Sequence, residues 1–283
     1  MKTALLVVAA LLITAGMVIS GATITIKGSD TLVRLGQRWA EEYMKHNEGV
    51  VIQVSGGGSG TGFAALLNGA TDICEASRDM KAKEHKQAEK VNVEPYRVSV
   101  ALDGIAVFLN EENALKEFSL AQLKGIYTGS ITNWKEVGGK DARIILYGRE
   151  NNSGTYAFFK EHVLDKEDYS DYTQTLPGTA AVVNAVSKDV NGIGYGGLAW
   201  AKGVKFAGVK QTDTAAAILP SDETVSNGTY PISRELYWFF NGKPTGELKK
   251  LVNWALSEEG QKLAAEIDYV PLSREMAKAN LVK

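Results

Sequence analysis

Three short polar turns hold the residues of this sequence whose types and spacing could do chemistry. They are Gly28–Leu32, Gly56–Gly62 and Arg149–Thr155, and each follows a predicted strand and precedes a predicted helix. The first backbone N–H groups of a helix have no partner within the helix, and together with the helix dipole they bind anions. Glycine lets a ligand approach the backbone closely, and Ser and Thr hydroxyls add donors. The turns therefore predict an anion site, in which the guanidinium of Arg149 can donate to two oxygens.

Each turn also has a simpler interpretation, because Ser and Thr before a helix are ordinary N-caps. The occurrence of three such turns in one chain, one of them with an arginine, favours ligand binding. The glycine-rich turn Gly56–Gly62 lacks the Gly-Lys-Ser/Thr of a nucleotide-binding P-loop, and it matches the dinucleotide pattern G-x-G-x-x-G only loosely.

A fourth polar segment follows the predicted strand Asp72–Ala76. It contains Ser77, Arg78 and Asp79. We consider Arg78 as a second cation for the anion, and the competing interpretation is a surface arginine paired with Asp79.

The sequence offers little for catalysis or metal binding. Ser153 lies in Asn-Ser-Gly-Thr and not in the G-x-S-x-G turn of a serine nucleophile. The three histidines, His46, His85 and His162, show no metal-ligand spacing. A single cysteine, Cys74, excludes an intrachain disulfide and a metal site built from several thiolates. We therefore predict no catalytic residue, no metal and no cofactor.

Strand-like and helix-like segments alternate along the chain, which predicts an α/β fold with largely parallel sheets. Near the end, Glu247–Ile267 has the pattern of one long amphipathic helix. No Pro- or Ser-rich linker divides the chain, so two lobes would be joined by strands crossing between them. Ser99–Asn110 and Tyr230–Phe240 are the candidate crossings.

Composition and charge exclude two broad classes of protein. The chain has 283 residues, 31 Lys and Arg, 33 Asp and Glu, a net charge of −2 and 45% hydrophobic residues. Intrinsic disorder requires lower hydrophobicity and higher net charge. A general nucleic-acid binder is usually strongly basic, so no nucleic-acid partner is expected.

Residues 1–22 have the features of an export signal. Lys2 is followed by an apolar run from Ala4 to Ile19, and small residues then lead to a cleavage site after Ala22. The alternative is an uncleaved membrane anchor, but the run is shorter than the ~20 residues that span a bilayer. We predict an exported protein, located in the periplasm or on the cell surface.

At these turns the sequence resembles the phosphate-binding proteins of bacterial and archaeal ABC phosphate importers, and the resemblance covers nearly all of the mature chain. The matching segments are GSDTL (28–32), GGGSGTG (56–62), ASRDM (76–80), ALDGIAVFLN (101–110), GSITNW (129–134), RENNSGTYAFF (149–159), NGIGYGGLAW (191–200), YPISRELYWFFNG (230–242) and SEEGQKLAAEIDYVPLS (257–273). Each segment alone is a modest match, whereas their order and spacing together are specific.

The resemblance implies a two-lobed periplasmic-binding-protein fold of type II that closes around one phosphate. Each lobe would be a mostly parallel sheet flanked by helices, with residues 23–103 and 230–283 in lobe 1 and residues 104–229 in lobe 2. It further implies a monomer that is not an enzyme and that delivers inorganic phosphate to an ABC permease in the membrane.

The family's ligand positions carry over to several residues of this chain. They imply phosphate contacts from the hydroxyl and backbone N–H of Thr31 and from the backbone N–H of Leu32. The remaining implied or predicted ligand residues are Ser29, Asp30, Ser59, Ser77, Arg78, Arg149, Ser153, Gly154 and Thr155.

One departure from the family concerns the proton of hydrogen phosphate. Many members have Ser-Asp where this chain has Ser77-Arg78, and that aspartate would accept the proton. We hypothesise that Asp30, inside the first turn, replaces it; the alternative is that Asp30 is only a charge at a helix N-terminus.

Three other functions remain open from the sequence. One is a binder of another tetrahedral oxyanion, such as sulfate, molybdate or tungstate. Another is an exported phosphoester hydrolase that uses the same anion pocket. The third is an adhesion or signalling module in which the pocket stays empty.

Overall fold

The computed structural model describes residues 21–283, and within them ten strands and ten α-helices alternate as the sequence predicts. Residues 1–20, which hold most of the predicted export signal, lie outside the described residues. The strands are β1 Thr23–Gly28, β2 Val51–Ser55, β3 Ile73–Ala76, β4 Pro95–Leu109, β5 Glu117–Ser119, β6 Ile145–Arg149, β7 Gln174–Leu176, β8 Gly192–Gly197, β9 Lys205–Lys210 and β10 Ser233–Asn241. The helices are α1 Val33–His46, α2 Ser59–Leu67, α3 Ala82–Lys90, α4 Leu120–Thr128, α5 Gly154–His162, α6 Gly178–Lys188, α7 Asp222–Ser226, α8 Gly246–Ala255, α9 Glu258–Glu266 and α10 Arg274–Asn280.

The first sheet has the strand order β2-β1-β3-β10-β4. Strands β2, β1 and β3 are parallel, whereas β10 is antiparallel to both of its neighbours. The carboxyl ends of parallel strands meet at one edge of a sheet, and ligands of open α/β sheets bind there. The turns that follow β1, β2 and β3 therefore lie at the same edge.

The second sheet is built on the continuation of β4. That strand pairs with β10 up to Gly104 and with β8 and β9 from Ile105 onward. Strand β6 is parallel to β8 and to β7, and β5 is parallel to β9. One strand of 15 residues thus belongs to both sheets.

Helix α1 illustrates how the apolar spacing produces the packing. Leu35, Trp39 and Tyr43 lie on one helix face and are at most 3% exposed. Trp39 packs edge-on against Trp238 of β10, with ring centroids 5.3 Å apart, and its indole N–H donates to the carbonyl of Gly260. These contacts fix α1, and with it the turn that precedes it.

The predicted single helix Glu247–Ile267 is wrong, because α8 ends at Ala255 and α9 begins at Glu258. The hydroxyl of Ser257 caps α9 by accepting from the N–H of Gly260. The Gln261 side chain binds the carbonyl of Ala255 that α8 leaves unpaired at its end. Both helices bury their apolar face, so the amphipathic pattern continues across the break and does not reveal it. No helix of residues 21–283 is long and apolar enough to cross a membrane.

Candidate functional site

The three predicted turns and the residue after β3 come together in one buried cluster of hydroxyl groups. Its shortest hydroxyl contacts are Thr31 to Thr155 at 3.0 Å, Ser29 to Ser77 at 2.8 Å and Ser59 to Ser77 at 3.3 Å. The clustered side chains are at most 2% exposed, and they are Ser29, Thr31, Ser59, Ser77, Arg149, Ser153 and Thr155. The cluster therefore joins residues that are far apart in the sequence, as the anion-site prediction requires.

The N-termini of α2 and α5 face each other across this cluster. Gly154 is the first residue of α5, and a Cβ added there would lie 2.3 Å from Ser59 Oγ and 2.4 Å from Ser77 Oγ. Among the described residues, the backbone N–H groups of Ser59, Gly154 and Thr155 donate to no protein acceptor. Two helix N-termini therefore direct unused donors and positive dipole ends toward one point.

Arg149, at the end of β6, is fixed by three polar partners. Its Nη2 lies 2.6 Å from Asp30 Oδ2, its Nη1 donates to the Thr179 hydroxyl at 3.0 Å, and its Nε lies 3.2 Å from Glu150 Oε2. The other carboxylate oxygen of Asp30 accepts the N–H of Gly57 at 2.8 Å. Asp30 thus connects the first, second and third turns and holds the guanidinium of Arg149 in the cluster.

A second arginine, Arg234 of β10, reaches the cluster, although the sequence reasoning did not identify it. Its Nη2 donates to Thr155 Oγ1 at 2.9 Å and its Nη1 donates to the carbonyl of Ser77 at 2.8 Å. Asp103 Oδ2 lies 2.7 Å from the same Nη2. Burial raises the pKa of the Asp103 carboxyl and lowers that of Arg234, while the attraction between the two opposes both shifts.

A signal for Arg234 is present in the sequence. Arg234, Leu236 and Trp238 alternate along β10 and all lie on its buried face. A charged residue in register with buried apolar ones requires a buried partner.

The prediction that Arg78 supplies a second cation to the anion is corrected by its contacts. Both of its terminal nitrogens bind the Glu84 carboxylate, each at 2.7 Å, and its guanidinium lies over the ring of Phe63 at 4.8 Å. The competing expectation of a pair with the Asp79 carboxylate does not hold either, because Arg97 binds that group. The guanidinium of Arg78 is held by α3 and does not join the cluster.

The backbone N–H of Leu32, predicted to donate to phosphate, already has a protein acceptor in this structure. Its side chain is buried, and its N–H donates to the carbonyl of Ser29 at 2.9 Å. Leu32 therefore stabilises the first turn.

Contacts between the two sheets enclose the cluster. The Asn152 side-chain amide donates to the carbonyl of Gly57 at 3.0 Å, and the Asn152 carbonyl accepts the N–H of Gly60 at 2.9 Å. On the other side, the indole N–H of Trp200 donates to the carbonyl of Thr31 at 3.2 Å. A ligand in the cluster is shielded from water in this arrangement, which strengthens its hydrogen bonds.

The cluster is rich in donors and poor in metal ligands. Within residues 21–283, no group of three or more His, Cys, Asp or Glu side chains could hold a metal ion. Hydroxyls, guanidinium groups and backbone N–H groups all donate, so the arrangement is suited to an oxyanion.

The fold and the enclosed donor cluster define a substrate-binding protein with the type II periplasmic-binding architecture. A sequence profile described as a PBP superfamily domain matches residues 19–259. A crystal structure with bound phosphate from Clostridium perfringens, described as a phosphate ABC transporter substrate-binding protein, superposes with a TM-score of 0.81. It is 30% identical and the alignment covers 89% of this chain and 100% of that one. An ABC-type phosphate transport receptor of Vibrio cholerae gives a TM-score of 0.71 at 27% identity, with 87% and 99% of the two chains covered.

Relatives at the sequence level make the assignment more specific. The phosphate-binding protein PstS of Pseudomonas aeruginosa is 35% identical over 268 residues, which cover 88% of this chain and 83% of that protein. PstS of Bacillus subtilis is 30% identical, with 90% and 82% covered. The chain belongs to the PstS family of phosphate-binding proteins. This family consists of substrate-binding proteins, so the alternative of a phosphoester hydrolase is not retained.

Proposed function

We propose that this chain captures inorganic phosphate in the hydroxyl cluster and delivers it to an ABC importer. The observation that carries the proposal is the enclosure, between two sheets, of six Ser or Thr side chains, a buried arginine and unused helix N-terminal donors. The printed names of the relatives, which describe phosphate binding and phosphate transport, support it.

The proposed ligand set takes hydroxyl, guanidinium and backbone donors from both sheets. It comprises Ser29, Thr31, Ser59, Ser77, Arg149, Ser153, Gly154 and Thr155. A hydrogen bond to a charged group contributes ~1.5–3 kcal/mol, and micromolar affinity requires about 8 kcal/mol. A few such bonds therefore suffice after the costs of ordering and desolvation are met.

We propose that the two sheets are the centres of two lobes, residues 23–103 with 230–283 and residues 104–229. The change of β4 from one set of partners to the other at Gly104 and Ile105 supports this boundary. Phosphate would shift the population toward the closed form, because only that form brings all donors together. An exported monomer would then present this closed form to the permease.

Asp30 is the proposed acceptor for the proton of hydrogen phosphate. Its carboxylate lies beside Arg149 and at the edge of the cluster, and its side chain is 18% exposed. A carboxylate there attracts a ligand that still carries a proton and repels fully ionised sulfate. Calorimetry on Asp30→Asn should show a smaller ratio of phosphate to sulfate affinity than the wild-type protein; an unchanged ratio would leave Asp30 as a helix N-terminal charge.

The central experiment is isothermal titration calorimetry of the purified protein with phosphate. We expect one phosphate per chain. Sulfate, molybdate and tungstate are titrated in parallel. If one of these anions binds more tightly than phosphate, that anion becomes the proposed ligand. If none of the four anions binds, the proposed function is contradicted.

A further inference from the structure

Arg234 is a buried charged residue that the proposed ligand set does not use. Its side chain is 2% exposed, and that of its partner Asp103 is 3% exposed. A buried ion pair contributes little to stability by itself, because desolvation offsets the attraction. The position of this pair, behind the hydroxyl cluster, indicates another role.

The contacts of Arg234 determine which way two hydroxyl groups can point. A hydroxyl has one proton to donate and lone pairs that accept. The Nη2 of Arg234 occupies a lone pair of Thr155 Oγ1 at 2.9 Å and lies 3.5 Å from Thr31 Oγ1. A guanidinium cannot accept, so the hydroxyl protons of Thr155 and Thr31 must point away from it. In this structure one of these protons lies between the two hydroxyl oxygens, which are 3.0 Å apart, and a bound anion would replace that hydroxyl as its acceptor. Beside an anion this matters, since a hydroxyl with its lone pairs toward the anion would repel it.

Arg234 is itself held from two further directions. Asp103 Oδ2 accepts from both Nε and Nη2, at 3.1 and 2.7 Å, and the carbonyl of Ser77 accepts from Nη1 at 2.8 Å. The other oxygen of Asp103 accepts the N–H of Leu198 at 3.2 Å. The guanidinium therefore has a fixed orientation, and its charge is balanced locally by Asp103.

We propose that Arg234 is a positioning residue that fixes the hydroxyls of Thr155 and Thr31 as donors toward the anion, with Asp103 fixing Arg234 in turn. This inference rests on the proposed phosphate site. Arg234 acts through the two hydroxyls, and the ligand does not bind its guanidinium.

A double-mutant cycle measured by phosphate calorimetry tests the proposal. Arg234→Lys keeps the positive charge but cannot bind Asp103, Ser77 and Thr155 together. We expect it to weaken phosphate binding by about tenfold or more in the wild-type background and by about threefold or less in the Thr155→Val background. Equal losses in both backgrounds, or no loss in the wild-type background, would overturn the proposal.

Circular dichroism without phosphate shows whether Arg234→Lys folds. If it does not fold, a second variant tests the same proposal. Asp103→Asn removes the carboxylate that orients Arg234, and we expect the same dependence on the Thr155 hydroxyl. Equal losses for Asp103→Asn in both backgrounds would again overturn the proposal.

Arg78→Lys is the matched control, because Arg78 is also a buried arginine that binds a carboxylate through two nitrogens. We expect its phosphate affinity to stay within about twofold of wild type. If the wild-type protein binds phosphate but the double-mutant cycle shows equal losses of affinity in both backgrounds, only the role of Arg234 is contradicted. A wild-type protein that binds no phosphate contradicts both this role and the proposed function.

Discussion

Ser153 caps α5 and also belongs to the buried cluster, so its capping role is compatible with the proposed ligand role. Its hydroxyl accepts the N–H of Tyr156 at 3.3 Å, and the residue is 1% exposed. Accepting that bond leaves the hydroxyl proton available to a ligand. Capping therefore supports the anion-site arrangement.

Replacement of Ser153 should separate these two roles. Ser153→Ala removes the cap, which costs about 1 kcal/mol of stability, and also removes a proposed phosphate donor, which should weaken binding by about tenfold. The matched control is Ser119→Ala, which removes the buried cap of α4. The control should lose similar stability in thermal unfolding and keep its phosphate affinity in calorimetry. Equal affinity in both variants would restrict Ser153 to capping.

Glu75, on β3 beside the cluster, makes stability depend on pH. Burial raises the pKa of its carboxyl from the usual 4.5 to about 8, against the hydrogen bond from Trp238. Its Oε2 has no hydrogen-bond partner among the described residues. The folded protein binds the Glu75 proton more tightly than the unfolded chain, and this tighter binding stabilises the fold. The stabilisation is fully present below pH 4.5 and is lost as the pH rises through about 8.

Chemical unfolding between pH 5 and 8 tests this with Glu75→Gln, whose uncharged amide has a similar size. Glu75 makes the free energy of unfolding fall by about 1.4 kcal/mol per pH unit in this range, and we expect the variant to lose that slope. The exposed Glu89→Gln serves as control. A slope in Glu75→Gln equal to that of the wild-type protein would contradict the assignment.

At the residue scale, the sequence was sufficient to place the hydroxyl groups and Arg149 but not the second arginine of the cluster. Ser29, Ser59 and Ser153 occupy turns whose position follows from local pattern. Arg78 and Arg234 both follow or lie within strands, and only the packing of α3 and β10 decides that Arg78 meets Glu84 and Arg234 meets the cluster. The partners of Arg234 come from distant parts of the chain. Glu84 is only six residues from Arg78, but the start of α3 is what brings the two side chains together.

At the scale of elements, the close approach of α2 and α5 is permitted by Gly154. A methyl group there would collide with Ser59 and Ser77, as the distances of 2.3 and 2.4 Å show. Closure of the cluster therefore requires glycine at the first position of α5.

Gly154→Ala should therefore prevent closure around phosphate. We expect a loss of affinity of about tenfold or more in calorimetry. Gly178→Ala is the control, since Gly178 also begins a helix, has nothing within 4 Å of an added Cβ, and has φ of +75°. That control should cost about 1–2 kcal/mol of stability without a change in affinity. Wild-type phosphate affinity in Gly154→Ala would show that the helix ends separate more than this structure indicates.

The elements themselves were largely predictable, and the errors have a common cause. The strand at Thr23 and the helix ending at His46 follow from alternation and helical spacing. The break at Ser257 depends on capping and tertiary contacts. Periodicity reports the buried face of a helix and not where it ends.

At the scale of the whole molecule, Asn152 is a polar link between the two sheets on the side of the glycine-rich turn. Its amide contacts Gly57 and Thr61, at 3.0 and 3.3 Å. Asn152→Ala removes these bonds but leaves the proposed ligand residues in place. Stopped-flow measurements should show faster phosphate dissociation by about threefold to tenfold with little change in association. Unchanged dissociation would show that these bonds do not hold the closed form.

The continuity of β4 has a mechanical consequence. Its 15 residues contribute backbone to both ladders, so loss of either sheet would leave part of this one strand with unpaired backbone groups. In the proposed two-lobe arrangement the halves would rock about this shared strand, yet they are expected to melt together. A calorimetric scan should accordingly record a single heat-absorption peak, with the enthalpy measured directly equal to that from the steepness of the transition.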